Sequence, residues 1–226
     1  MVIAKKYRYP AMAIITIIII LSIGYYKPMM YLKNPYLWHI DMGYRYYDIY
    51  NLRDASHHAD KAFAIDRSRP EAYLLKAYIL RFQRKLPQSE LYAEMVIEDF
   101  PIESRLLIAN IRLADRNYDE ALNILSEAEA IRSDWRIDSM RSMAYMSLGK
   151  EHNAFLESDS AINKCPHCSE SFNEREILAF AYAIRGLIYE KNGHQNQANT
   201  DYSIAEDLLL DIVSKTKDRM AQWKKD

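Results

Sequence analysis

A spaced pattern of small and aromatic residues returns about five times along this chain, and it constrains the fold more than any other feature. It is clearest near the C-terminus, as Gly186, Tyr189, Gly193, Ala198, Tyr202 and Ala205. Upstream the same offsets hold Ser142, Tyr145, Gly149, Ala154, Ala161 and Pro166. Self-similarity at such a period marks a stack of helical hairpins, because one hairpin cannot bury its apolar face alone. Small residues belong where two antiparallel helices cross closely. Aromatics and leucines fill the gaps between hairpins. Gly149 and Gly193 fall where the first helix must end and reverse, a turn that favours positive φ. Pro101 and Pro166 follow second helices, where the chain leaves helical geometry.

The segment AFAIDRSRPEAYLLKAYIL, Ala62 to Leu80, resembles the junction between consecutive tetratricopeptide repeats, and AYMSLGKEHNAF and GLIYEKNGHQNQA resemble that family's helix–turn–helix centre. The resemblance implies an all-α, right-handed superhelix of about five hairpins. The expected repeats are residues 36–69, 70–101, 102–134, 135–168 and 179–212. The third departs from the pattern, with Arg112 in place of an aromatic and Arg116 in place of glycine. About ten extra residues, His167 to Glu176, separate the fourth and fifth. A polar amphipathic helix from Glu206 toward Trp223, within residues 206–226, is expected to cap the stack.

Residues 1–10 form a short basic segment. Ala11 to Tyr26 carries no charge, and sixteen helical residues span roughly 24 Å, to be compared with a hydrocarbon core of ~30 Å. Tyr25, Tyr26 and Tyr31 suit the interface, and Lys6 and Lys27 can snorkel. We expect a retained single-pass anchor over residues 11–32, touching lipid through residues 11–26. A cleaved signal peptide is the rival, opposed by the absence of an A-x-A site. Lys5, Lys6 and Arg8 before the span favour an N-in arrangement, with the repeats on the outer side.

In such a stack the first helix of each hairpin lines the concave face. That register predicts a contact cluster of Tyr44, Tyr47, Tyr78, Arg81 and Phe82, continued by Asn110, Met143 and Met146. Tyrosine and arginine are enriched at binding hot spots, and methionine suits an adaptable surface. The expected partner is a protein, which can itself be integral to the membrane. A net charge of −1 gives no electrostatic case for nucleic acid.

The two cysteines form Cys165-Pro166-His167-Cys168. This spacing resembles the active site of periplasmic disulfide oxidases, so a thiol–disulfide redox protein is the alternative function. The motif, however, follows a helix rather than a strand, and a local structural disulfide is the favoured reading. A zinc site would need His152, His167 or His194 to converge on it. Ser169 disfavours c-type haem. His57 and His58 point about 100° apart on a helix and read as a solvent-exposed pair. No catalytic constellation, cofactor, metal or small-molecule substrate is implied. A purely structural subunit of a larger membrane assembly is the remaining alternative.

Overall fold

The computed structural model describes residues 34–165, 171–210 and 212–223. The expected anchor at residues 11–32 lies outside them, as do Pro166, His167 and Cys168. No helix among the described residues is long and apolar enough to cross a membrane.

The described residues form eleven helices and no strands. These are α1 (Pro35–Asp48), α2 (Leu52–Ile65), α3 (Pro70–Phe82), α4 (Leu86–Glu94), α5 (Pro101–Ala114), α6 (Tyr118–Ile131), α7 (Trp135–Ser147), α8 (Glu151–Lys164), α9 (Phe172–Lys191), α10 (Gln195–Leu208) and α11 (Ile212–Trp223). Proline stands at the start of α1, α3 and α5, where its missing N–H costs nothing.

Helices pair in sequence to make five hairpins, α1·α2 through α9·α10. Each second helix then packs on the next first helix, and the first helices α1, α3, α5, α7 and α9 touch one another in succession. A stack whose first helices share an inner layer, while its second helices lie outside, curves with the first helices on the concave side.

The second helices explain the spacing of small residues. Four of the five carry a buried stripe at i, i+4 and i+7: Ala55-Ala59-Ala62, Ser89-Ala93 continued by Val96 just past α4, Ala121-Leu125-Ala128 and Ala154-Ser158-Ala161. Ser89 donates its hydroxyl across the crossing to the Ala77 carbonyl at 2.7 Å. On α1, a Cβ added to Gly43 would lie 2.4 Å from Leu75 Cδ2. Leu75 is itself fully buried, so it has little room to yield. Gly43→Val should therefore destabilise the fold by about 1–3 kcal/mol through overpacking. Pairing it with Leu75→Ala should recover part of that loss, as measured by urea unfolding.

The hairpin turn is built the same way five times. Tyr50, Arg84, Arg116, Gly149 and Gly193 all have positive φ, between 58° and 78°. In each case the following amide (Asn51, Lys85, Asn117, Lys150, His194) bonds five residues back, at 2.8–2.9 Å. This is the six-to-one bond of a Schellman turn. The sequence signalled it by glycine in two repeats only. In the other three, the turn holds a side chain in the left-handed region, which costs roughly 1–2 kcal/mol. Arg84 is exposed. Arg84→Gly should stabilise by about 0.5–1 kcal/mol, after the greater freedom of unfolded glycine is subtracted. The expected rise in melting midpoint is about 2–3 °C.

Two boundaries differ from the sequence expectation. Helix α9 begins at Phe172, seven residues before residue 179, and runs for 20 residues. Ser171 and Glu174 start it with a reciprocal capping box. Part of the insertion is thus an N-terminal extension of the fifth repeat's first helix. At the C-terminus the chain does not run on as one helix from Glu206. It turns extended at Leu209 and restarts at Ile212. The break lets α11 fold back on α7, α9 and α10, burying Ile212, Val213 and Thr216.

Candidate functional site: the concave groove

Four of the first helices converge at the middle of the concave face. Tyr78 and Arg81 come from α3, Leu106, Leu107 and Asn110 from α5, Arg136 and Met140 from α7, and Asn173 and Ile177 from α9. The recess they enclose is about 10 Å³, the room of one water molecule.

Arg81 is its centre. One guanidinium nitrogen donates to Asn110 Oδ1 at 2.6 Å. The other reaches across the groove to Glu176 Oε2 at 3.2 Å and Asn173 Oδ1 at 3.4 Å. Its face lies 4.3 Å from the Phe82 ring centroid. Burial works against the charge, but Tyr47 and Glu176 beside it hold the guanidinium more firmly protonated than usual. The extension at the start of α9 is therefore what closes the groove, through contacts more than ninety residues apart in sequence.

The predicted aromatic cluster does assemble. The Tyr47 ring packs 5.8 Å from Tyr78 and 5.2 Å from Phe82, and Tyr50 packs 5.0 Å from Phe82. Tyr44, Tyr78 and Phe82 pack against the core that contains Tyr47. Only 4% of Tyr47 is exposed, so it is a floor rather than a contact surface. Its hydroxyl and the Arg81 Nε are both buried without a well-formed hydrogen bond. Burial pushes the Tyr47 phenol well above its ordinary range, with Arg81 opposing. Burial likewise raises Tyr78, to about 12. Tyr44 is also raised by burial, then by the neighbouring Tyr78 and Tyr47. Tyr50, absent from the predicted set, is the most open ring at this mouth, 49% exposed. Its place in the hairpin turn, rather than in helical register, hid it.

Of the remaining predicted residues, Asn110 joins the group through Arg81. Met143 and Met146 do not. Met146 is buried with Ala154, Ile184 and Ile188, and Met143 packs at the edge of that separate core. Cys165 is buried at the end of α8 and carries no free thiol. No group of three or more His, Cys, Asp or Glu able to hold a metal occurs among the described residues.

The reading of His57 and His58 as an exposed pair is corrected for one of them. His57 is exposed, but His58 is half-buried, its Nδ1 2.9 Å from His39 Nδ1 on α1. Tyr46 stacks on the His58 ring, and Trp38 meets both imidazoles edge-on. Burial lowers both histidines, and the neighbouring imidazoles add to it.

Among solved structures, the chain is similar to TTC0263, a thermophilic TPR protein of Thermus thermophilus. The two are 15% identical with a TM-score of 0.61, over 84% of this chain and 100% of that one. A crystal structure of MamA aligns at 16% identity and a TM-score of 0.49, covering 80% of this chain and 97% of that one. No family model and no curated protein matches. The fold is an all-helical array of the tetratricopeptide-repeat type.

Proposed function

We propose that this chain is a non-catalytic, membrane-anchored repeat scaffold that holds a protein partner within a membrane or cell-envelope complex. The observation that carries the reading is the preorganised aromatic mouth of the concave face. Tyr50 and Phe82 stand at its surface, locked by Tyr47 and Arg81 beneath them. Rings fixed in this way lose little freedom on binding, which is what makes aromatic residues effective anchors. The partner engages the mouth formed by Tyr44, Tyr50, Tyr78 and Phe82, while Arg81 and Asn110 set the shape of its floor. Residues 11–26 tether the array to lipid, N-terminus inside, with the repeats on the outer side. The partner is drawn from the same membrane.

Site-specific photocrosslinking in native membranes tests this. A photoreactive residue at Tyr50 or Phe82 should give a discrete protein adduct. The same residue at Leu156 or Leu210, which are 53% and 73% exposed, should give none. Adducts from Leu156 or Leu210 alone would overturn the groove in favour of a subunit that packs by its outer helices.

A further inference from the structure

Among the described residues, a terminal helix covers the C-terminal end of the array only. At the C-terminus, α11 covers the last hairpin and turns Lys217 outward, 2.9 Å from Glu190. At the other end α1 has two apolar faces. Tyr36, Ile40, Gly43 and Tyr47 point into the core. On the opposite side Trp38, Met42, Arg45 and Ile49 follow at i, i+4, i+7 and i+11, within about 60° of one another on the helix. Trp38 is 37% and Ile49 70% exposed, with Leu37 at 39% beside them. Three of the ten exposed large hydrophobics among the described residues thus fall within positions 37–49. A terminal repeat needs a polar outer face or a cover, and on α1 the polar residues Asp41, Arg45 and Asp48 make only a narrow row along one edge of the apolar stripe.

Trp38 is also presented rigidly. Its ring lies 4.7 Å from His39 and 5.3 Å from His58, and the 2.9 Å contact between those imidazoles ties α1 to α2. Beside this stripe, α2 exposes Arg53, His57 and Lys61 at i, i+4 and i+8. Of the acids near them, Asp60 pairs with Lys76 at 2.7 Å and Asp54 accepts from Asn51, while Asp41 and Asp48 lie along the other edge of the α1 stripe, with Arg45 between them. An apolar stripe with a basic row along one edge is the pattern of a helix lying in a lipid interface.

The sequence before α1 supplies the occupant. The charge-free run ends at Tyr26, eight residue steps from Asn34. Even fully extended, those steps reach only roughly 28 Å. We infer that the outer face of the first hairpin, Trp38, Met42 and Ile49 with Arg53, His57 and Lys61, docks onto the anionic lipid surface of the membrane that holds the chain. This rests on the reading of residues 11–26 as the anchor. The bilayer covers this face, and the groove is then held at a fixed height and tilt above it.

The test uses the full-length protein in phosphatidylglycerol nanodiscs carrying a headgroup nitroxide lipid, with Trp38 as the only tryptophan (Trp135→Phe, Trp223→Phe). Trp38 emission should be quenched about two-fold or more. The quenching should fall in phosphatidylcholine discs, in high salt, and with Arg53→Gln plus Lys61→Gln. If the double tryptophan variant does not fold, the native protein read against Trp38→Phe gives the same difference. Protein that co-elutes with the discs while Trp38 stays unquenched would overturn the docking and leave the anchor standing. Protein that elutes without discs would overturn the anchor and the docking with it. Shielding of Trp38 that is equal without lipid, or that rises with protein concentration, would assign the face to the chain's own N-terminus or to a second copy, and would overturn the lipid assignment.

Discussion

Arg185→Met should cost about 3–5 kcal/mol, the largest single-residue effect we expect outside the aliphatic core. Arg185 lies on α9 and binds Asp201 of α10 with two nitrogens, both at 2.8 Å, while a third donates to Asp159 of α8 at 2.8 Å. It therefore ties the fifth hairpin together and fastens it to the fourth. Asp201 is only 3% exposed, because it sits where Gly186 lets the helices approach: a Cβ on Gly186 would meet Tyr202 at 2.8 Å and Asp201 Cβ at 3.3 Å. Removing the guanidinium leaves a buried carboxylate with no cation beside it, and that uncompensated charge is the source of the cost. Burial works against the Arg185 charge, yet the two aspartates hold it more firmly protonated than usual. The double variant Arg185→Met, Asp201→Leu should recover much of the loss, since it removes both charges. Urea unfolding of the three proteins measures this. A single-variant loss under about 1 kcal/mol would place the pair in a wet, surface-like environment.

The second large effect is alkaline destabilisation centred on the groove. Unfolded tyrosines ionise near pH 10. In the fold, Tyr78 is raised to about 12 by burial, and Tyr44 and Tyr47 are raised by the same cause. Between these limits the unfolded chain gives up protons that the folded chain keeps. The folded state therefore binds more protons, and stability must fall as pH rises. The expected slope is at most about 1.4 kcal/mol per pH unit for each tyrosine, beginning near pH 10. Tyr78 alone contributes up to about 2–3 kcal/mol by pH 12. Tyr78→Phe should remove that share while leaving the slope due to Tyr44 and Tyr47 and to raised tyrosines elsewhere such as Tyr36 and Tyr202. Denaturant midpoints from pH 8 upward, with phenolate absorbance followed in parallel, check it. Identical slopes for the two proteins would show that the Tyr78 phenol is solvated.

The two expectations differ in how they could be reached from sequence. The proximity of Arg185 and Asp201 follows from hairpin geometry, since both lie on facing helices of one repeat whose register Gly186 and Ala198 set. The burial of Tyr47 beneath the half-buried Tyr44 and Tyr78 does not. Placement on the concave side is legible in the helical register, but the register does not separate the floor of the groove from its mouth. The start of α9 closes the groove on Arg81, and nothing in the residues His167 to Glu176 taken alone shows which distant side chain they will reach.

Local pattern was sufficient where each contact lies within one repeat or between neighbours. The stripes of small residues, the prolines opening the first helices and the two turn glycines specify paired helices, because helix crossings and turns depend on residues a few positions apart. Tyr50, Arg84 and Arg116 mark the edge of that reach: their left-handed conformation is imposed by turn hydrogen bonds, without glycine to announce it. The pairing of Arg81 with Glu176, the partnership of His39 with His58, and the separation of Met143 and Met146 from the aromatic cluster were decided by tertiary structure. Each depends on the curvature accumulated over several hairpins or on the angle at which two helices cross, and no single stretch of sequence carries a rotation summed over the whole stack.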